Sequence, residues 1–137
     1  MDLIKAIKIS ASGMKAQGVR LRVISENIAN SNSLAETPGG DPYRRKLVSF
    51  KEVLDKSMGA NTVLVNKVEF DQSEFGKRYD PTHPAADKDG YVSTPNVNGL
   101  IEMMDMREAQ RSYSANLDMI DASKHMIERT IDLLRNN

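Results

Sequence analysis

No cysteine occurs in the chain, which excludes disulfides, thiolate metal sites and cysteine nucleophiles and leaves any fold to noncovalent packing. Tryptophan is absent as well, aromatic residues make up 5%, and 19 Lys and Arg balance 19 Asp and Glu. A dedicated nucleic-acid binder usually shows a basic excess with aromatic stacking groups, and neither is found. No uncharged apolar run approaches the roughly 18 to 20 residues of a membrane-spanning helix, so direct membrane insertion is not expected. Behind Lys5 and Lys8 no sustained apolar segment of signal-peptide type follows. Composition thus reads as cytosolic, or as exported by another route. A length of 137 residues suits one ordinary domain with a modest core.

What the chain does have is a helical period at each end. Ile4, Ile7, Ala11, Met14, Gly18, Leu21, Ser25 and Ile28 follow one another at steps of three and four, which places them on one face of a helix from Leu3 to about Asn30. Gly13 and Gly18 each cost about 1 kcal/mol relative to alanine inside a helix. That cost makes sense if small residues at Ala11 and Gly18 let another helix approach; a kinked or broken helix is the alternative. Asn27, Asn30 and Asn32 loosen the last turn, because their amides compete for backbone hydrogen bonds. After Gly99, the positions Met103, Met106, Gln110, Tyr113, Leu117, Ile120, Lys124, Ile127, Ile131 and Leu134 repeat the same spacing to the end of the chain. Only Gln110 and Lys124 interrupt the apolar character, as in a coiled-coil seam; an ordinary bundle core is the other reading.

Between these ends, residues 31–42 have a loop composition rich in Ser, Asn, Gly and Pro. Gly39-Gly40 lacks the lysine and the following helix of a phosphate loop and reads as a turn. Tyr43 to Leu54 and Thr62 to Phe70 are strand candidates, joined as a hairpin through Met58-Gly59-Ala60-Asn61. From Lys77 to Val97, Pro81, Pro84 and Pro95 fix φ and predict a stiff, extended segment. The expected organisation is mainly α: an N-terminal helix in 1–33, a loop and β-hairpin middle in 34–98, and a C-terminal helix in 99–137, the two long helices pairing as a coiled coil.

Candidate chemistry is sparse. His83 stands between two prolines, but a lone histidine without a partner in a metal-binding spacing is more often structural. Asp87-Lys88-Asp89-Gly90 imitates part of a calcium loop, yet aligning Gly90 as its glycine puts Ala85 and Asn96 where acidic ligands are needed. A hairpin turn with Asp-Gly at its tip is the better reading. His125 has Asp121 and Glu128 at helical spacing, which suggests a surface ion pair. Arg44-Arg45-Lys46 is a weak nucleic-acid footprint and reads as a solvated or interface strand segment. No spacing builds an active site, and no cofactor, metal or catalytic residue is expected.

Helices of about 28 and 38 residues would span roughly 40 and 55 Å at 1.5 Å per residue. They would bury one seam against each other and leave a second apolar surface for neighbouring subunits. The physics of the sequence points to an assembling structural protein.

Ile24-Ser25-Glu26-Asn27-Ile28-Ala29-Asn30-Ser31-Asn32 resembles the asparagine-rich N-terminal signature of bacterial flagellar rod and hook proteins. Tyr79-Asp80-Pro81-Thr82-His83-Pro84-Ala85-Ala86-Asp87, Gly90-Tyr91-Val92 and Pro95-Asn96-Val97-Asn98 resemble the middle of the proximal-rod branch of that family. Glu102-Met103, Arg111-Ser112-Tyr113-Ser114-Ala115-Asn116 and Lys124-His125-Met126 are similar to its C-terminal helix, with Ser114 where glutamate is common. The resemblance implies a non-enzymatic subunit of the flagellar basal-body rod, the shaft that carries torque for motility. It implies as partners other rod proteins, the rotor-ring junction, further copies in a helical assembly and the type III flagellar export apparatus. Export without a cleaved signal into the periplasmic part of the rod is implied too. On this reading Ile7, Met14, Gly18, Leu21, Asn27, Ile28, Asn30, Tyr113, Asn116, Leu117, Ile120, Ile127 and Ile131 belong to the assembly interface. Tyr79, Pro81, His83, Pro84, Gly90, Tyr91, Pro95 and Asn96 form the middle-region motif, whose prolines would limit backbone freedom. A soluble helical adaptor or secretion-apparatus protein with a β insertion is the rival reading.

Overall fold

The computed structural model describes residues 2–135. Elements follow the order α1 (Leu3–Ala29), β1 (Lys46–Asp55), β2 (Ala60–Phe70), β3 (Gly76–Tyr79), β4 (Tyr91–Thr94) and α2 (Gly99–Arg135). Two long helices thus flank a small β-hairpin region. The strands form two separate two-stranded sheets, β1 with β2 and β3 with β4.

Both helices begin on a side chain that caps them. The Asp2 carboxylate accepts from the Ile4 and Lys5 backbone N–H groups at 3.1 and 3.3 Å, and the Asn98 carbonyl oxygen of the side chain accepts from Leu100 and Ile101 at 3.0 and 3.4 Å. Each bond satisfies an amide that the first turn leaves without an intrahelical partner. Glu102 in the first turn of α2 also suits the positive end of the helix dipole.

The chain divides into two compact units. The first combines residues up to Leu21 with Ser49–Lys67 and the stretch from Arg107 onward. Here α1 and α2 run antiparallel: Arg20 bonds Glu108 at 3.3 Å, and a Cβ placed on Gly13 would stand 2.9 Å from the Asn116 amide. Of the two glycines in α1, Gly13 is therefore the one at the close approach, whereas Gly18 faces open space. The β1–β2 hairpin meets α1 where the Val63 N–H donates to Ser12 Oγ at 3.3 Å. Its turn is set by Asp55, whose side chain accepts from the Ser57 N–H and hydroxyl at 2.9 and 2.6 Å, and Gly59 takes a φ of 60°.

The helix faces differ from the expected stripes in an instructive way. On α2 the buried line is Glu102, Ala109 and Ser123, with Asn116 half-buried at the same seven-residue spacing. Met106, Tyr113, Ile120 and Ile127 of the expected seam are half-buried beside it. The rest of it, Met103, Gln110, Leu117, Lys124, Ile131 and Leu134, is exposed. On α1 the buried positions are Ser10, Ala16, Val23, Ile24 and Asn27, while Ile4, Ala11 and Ser25 of the expected stripe are exposed and Ile7, Met14, Gly18, Leu21 and Ile28 are half-buried. On α2 the buried positions are small or hydrogen-bonded, as suits a close approach of two backbones that leaves no room for leucine or methionine; the larger buried groups, Val23 and Ile24, belong to α1.

The second unit combines Arg22–Val48 with Val68–Met106. Ala35, Ala85 and Val92 form its small apolar core, with Leu34 and Ala86 packed against it. Strand β3 pairs antiparallel with β4 in the register Gly76↔Thr94, Lys77↔Ser93, Arg78↔Val92 and Tyr79↔Tyr91. The expected Asp-Gly hairpin tip is corrected: β3 and β4 are joined by the whole of 80–90. Asp89-Gly90 closes that loop at the entrance to β4, because two prolines and the Asp80 and Asp87 turns occupy the connection. Gly90 takes a φ of 82°, and a Cβ there would stand 3.0 Å from the Tyr79 ring and 3.1 Å from Pro81. Gly90→Ala should therefore destabilise the chain by more than about 1 kcal/mol, read as a lowered midpoint in thermal unfolding; an unchanged midpoint would refute the tight packing of this turn.

Candidate functional site

Asn27 is 1% exposed, and the amide that sequence reading placed at the end of an interface helix is instead fully used inside the second unit. Its Nδ2 donates to the Lys46 carbonyl at 2.9 Å and to Glu102 Oε2 at 3.0 Å. Its Oδ1 accepts from the Lys46 N–H at 2.9 Å and the Tyr43 hydroxyl at 3.0 Å. Two donors and two acceptor sites are all an asparagine side chain has, so the group is saturated.

Glu102 is wholly buried, and its second oxygen accepts from Arg45 Nε. The Arg45 guanidinium also reaches Asp71 at 3.4 Å and Asp105 at 3.5 Å. A buried carboxylate is tolerated only when charge and hydrogen bonds replace the water it has lost. Arg45 supplies the charge and Asn27 the second hydrogen bond. Burial works against the charge on Arg45, yet the bond to Glu102 and the charges of Glu102 and Asp71 outweigh it and hold its pKa above the ordinary value.

Around this centre the backbone is fixed by side chains. Asn96 Oδ1 accepts from the Arg45 N–H at 2.7 Å, and its Nδ2 donates to the Asp71 and Ser73 carbonyls and to Ser73 Oγ. Arg44 donates to the Asp71 carbonyl at 3.0 Å and lies 4.1 Å over the Phe75 ring, a cation–π contact. At the rim, Lys46 bonds Glu26 at 2.9 Å, which raises the lysine's pKa and lowers the carboxylate's. Asn30 turns back on its own helix, donating to the Glu26 carbonyl at 2.9 Å and accepting from the Ser33 hydroxyl at 3.1 Å. The Arg44-Arg45-Lys46 trio is therefore the cationic part of an internal network, and of its reading as a solvated or interface strand segment the solvated alternative is corrected.

The middle-region motif divides between two places. Tyr79 and Tyr91 meet edge-to-face with centroids 5.3 Å apart, Pro81 lies against Gly90, and the Asp80 N–H donates to the Gly90 carbonyl at 2.9 Å. His83 Nδ1 accepts from the Ala85 N–H at 3.1 Å, which holds the imidazole as a turn-forming group. Pro84 is exposed, Pro95 is buried, and Asn96 joins the Arg45 network. Of the expected interface residues, only Asn27 lies in that network. Tyr113, Asn116, Ile120 and Ile127 are half-buried on α2, and Leu117 and Ile131 are exposed at 42% and 57%. His125 forms the expected surface contact with Glu128 at 3.3 Å.

Arg45, Tyr43, Asp71 and Asp105 were not legible as a site, because nothing local in the sequence marks a charge that will be paired 57 residues away. The only signal was an unusual position for charge: Glu102 sits among Leu100, Ile101, Met103 and Met104. With every lone pair of Asn27 engaged and both Glu102 oxygens bonded, the centre offers no open position for a reacting group. It is a structural junction of α1, the segment entering β1, and α2.

Glu102→Leu should cost about 3 kcal/mol or more by leaving Arg45 half-buried beside an apolar group, and Glu102→Leu with Arg45→Met should recover most of that loss. Urea unfolding at pH 7 reads both, and a double variant no better than the single one would count against the pairing. Asp71 is held below the ordinary aspartate value by the Ser73 backbone N–H, then by the Ser73 hydroxyl and Arg45, against partial burial. A lowered folded pKa contributes stability that is full above about pH 4 and is lost as pH falls through the folded value. Asp71→Asn should accordingly shrink the difference in unfolding free energy between pH 7 and pH 3.

Residues 7–33 match the family described as "Flagella basal body rod protein", and residues 88–133 match "Flagellar basal body rod FlgEFG protein C-terminal". The flagellar basal-body rod protein FlgC of Agrobacterium fabrum is 53% identical over 133 residues, which cover 97% of this chain and 96% of that protein. FlgC of Borreliella burgdorferi is 39% identical across 98% of this chain and 99% of its own length. FlgC of Bacillus subtilis is 38% identical across 97% and 99%. The network of Asn27, Arg45 and Glu102 thus lies in a chain that belongs to the FlgC family of flagellar basal-body rod proteins, a structural and non-enzymatic family.

Proposed function

We propose that the chain is a torque-bearing subunit of the flagellar basal-body rod whose terminal helices form an inner coiled-coil layer with neighbouring subunits. In this reading residues 1–33 and 99–137 make up that layer and 34–98 the outer part that meets adjacent rod proteins. The observation that carries it is the state of the helix surfaces. Glu102, Ala109 and Ser123 occupy the inner line of α2, while Leu100, Ile101, Met103, Met104, Leu117, Met119 and Met126 remain exposed. Apolar surface of that extent on a charged helix marks an interface with other proteins, and flexible thioethers suit neighbours of differing shape.

Assembly of that kind places further copies of the chain, other rod proteins and the rotor-ring junction in contact with it, in the periplasmic part of the rod. Delivery by the flagellar export apparatus, without a cleaved signal, belongs to the same reading. No helix among the described residues is long and apolar enough to cross a membrane. Torque requires that the subunit not yield, and the buried junction of Asn27, Arg45 and Glu102, with prolines at 81, 84 and 95, limits internal motion.

The chain should be recovered with basal bodies purified from its flagellated source, and its absence from them would overturn the reading. Gly18 gives a sharper check of the interface. It faces open space, so Gly18→Leu should leave the isolated chain as stable or more stable by about 1 kcal/mol. In cells the same variant should be depleted from basal bodies, because the added side chain intrudes on a neighbour. Normal incorporation would remove Gly18 from the interface.

A further inference from the structure

Two features of the first unit stay unsatisfied once α1 and α2 have paired. The first is the end of α2. With Gly13 beside Asn116 and Arg20 on Glu108, the antiparallel helices bring Leu3 level with about Met126. Beyond that level α2 continues to Arg135, about two and a half further turns. This overhang carries Ile131, Leu133 and Leu134 at 57%, 71% and 74% exposure; beside them Glu128 and Asp132 lie 3.3 and 3.5 Å from His125 and Arg135 of the same helix, exposed contacts that are weak and open to exchange, with Arg129 between them.

The second is a cleft between α1 and β2, lined by Lys15, Ala16 and Val19 from the helix and Val63, Leu64 and Val65 from the strand. Its volume is about 230 Å³, below the roughly 300 Å³ at which small-molecule sites begin. The lining is apolar apart from Ser12 and the exposed Lys15, and Lys8 lies two turns away along the same helix face. Such a cleft suits branched aliphatic side chains presented by another polypeptide, with acidic groups at their flank.

We propose that the α2 tip of one copy seats Leu133 and its apolar neighbours in the α1–β2 cleft of a second copy, Glu128 and Asp132 facing Lys8 and Lys15. The inference rests on the self-assembly reading above. Within one chain the pairing is out of reach, since the tip lies roughly 25 to 30 Å along the helix axis from the level of Lys15. Between copies the contact is heterologous: tip and cleft are different surfaces, so each subunit that docks offers a fresh tip and a fresh cleft. Such contacts propagate into open helical arrays unless they close into a ring.

The chain has no cysteine of its own, so introduced thiols report only on the pair chosen. Val65→Cys combined with Leu133→Cys, in basal bodies purified under oxidising conditions, should give a ladder of covalent multimers on non-reducing gels, and each single variant should not. A double variant present in basal bodies without a ladder would overturn the inference and leave the rod-subunit reading intact. Absence of the wild-type chain from basal bodies would overturn that reading, and the inference with it. If the cysteine pair itself is not incorporated, charge exchange decides: Lys15→Glu and Asp132→Lys should each reduce incorporation several-fold, and their combination should restore it. Failure of the combination to restore incorporation would overturn the inference.

Discussion

A carboxylate buried without water is the constraint on which the second unit depends. Glu102 stands in the first turn of α2, and solvation lost there has to be replaced by partners that arrive from elsewhere in the chain. Arg45 brings the opposite charge and Asn27 the second hydrogen bond. Because each partner is itself held by further bonds, from Asn96, Asp71, Tyr43 and Lys46, the group can be accommodated only when α1, the entry to β1 and the start of α2 are all in place. A half-formed network of this kind would cost more than an apolar contact, which makes the junction selective for one arrangement.

The same economy of apolar side chains marks the helices. The line of closest approach uses alanine, serine and a saturated asparagine, so many large aliphatic and thioether groups of α2, among them Met103, Leu117 and Met119, are left outward. In an isolated globular protein that distribution would be a liability, since burying apolar area is worth about 25 cal/mol per Å² and here much of it is forgone. In a member of a rod-forming family it fits the proposed division of labour, in which polar bonds define the subunit and apolar surface is left for neighbours.

The loop of 80–90 shows how conformational restriction substitutes for a large core. Ala35, Ala85 and Val92 bury little area, but Gly90 at positive φ, the Tyr79–Tyr91 ring pair and the His83 side chain bonded to the Ala85 N–H hold the connection from several sides. The two-stranded β3–β4 ladder would be marginal alone. Its neighbours in sequence supply the restraint.

Much of this chain was legible from local pattern. A period of three and four identifies a helix wherever it occurs, and Gly, Pro and Asp-Gly mark turns, because both signals arise from backbone geometry within a few residues. Hence the two long helices and the β1–β2 hairpin follow from the sequence, and the Asn-rich and Pro-rich motifs carry the family. Which side of each helix faces inward was decided only in the tertiary structure. Hydrophobicity pointed to Met103, Leu117 and Ile131, whereas the closeness of the two backbones selected Ala109, Ser123 and the Gly13–Asn116 contact. Likewise Arg45 and Glu102 become a pair only when segments 57 residues apart meet. The energy of a buried charge depends on partners that no local stretch of sequence contains.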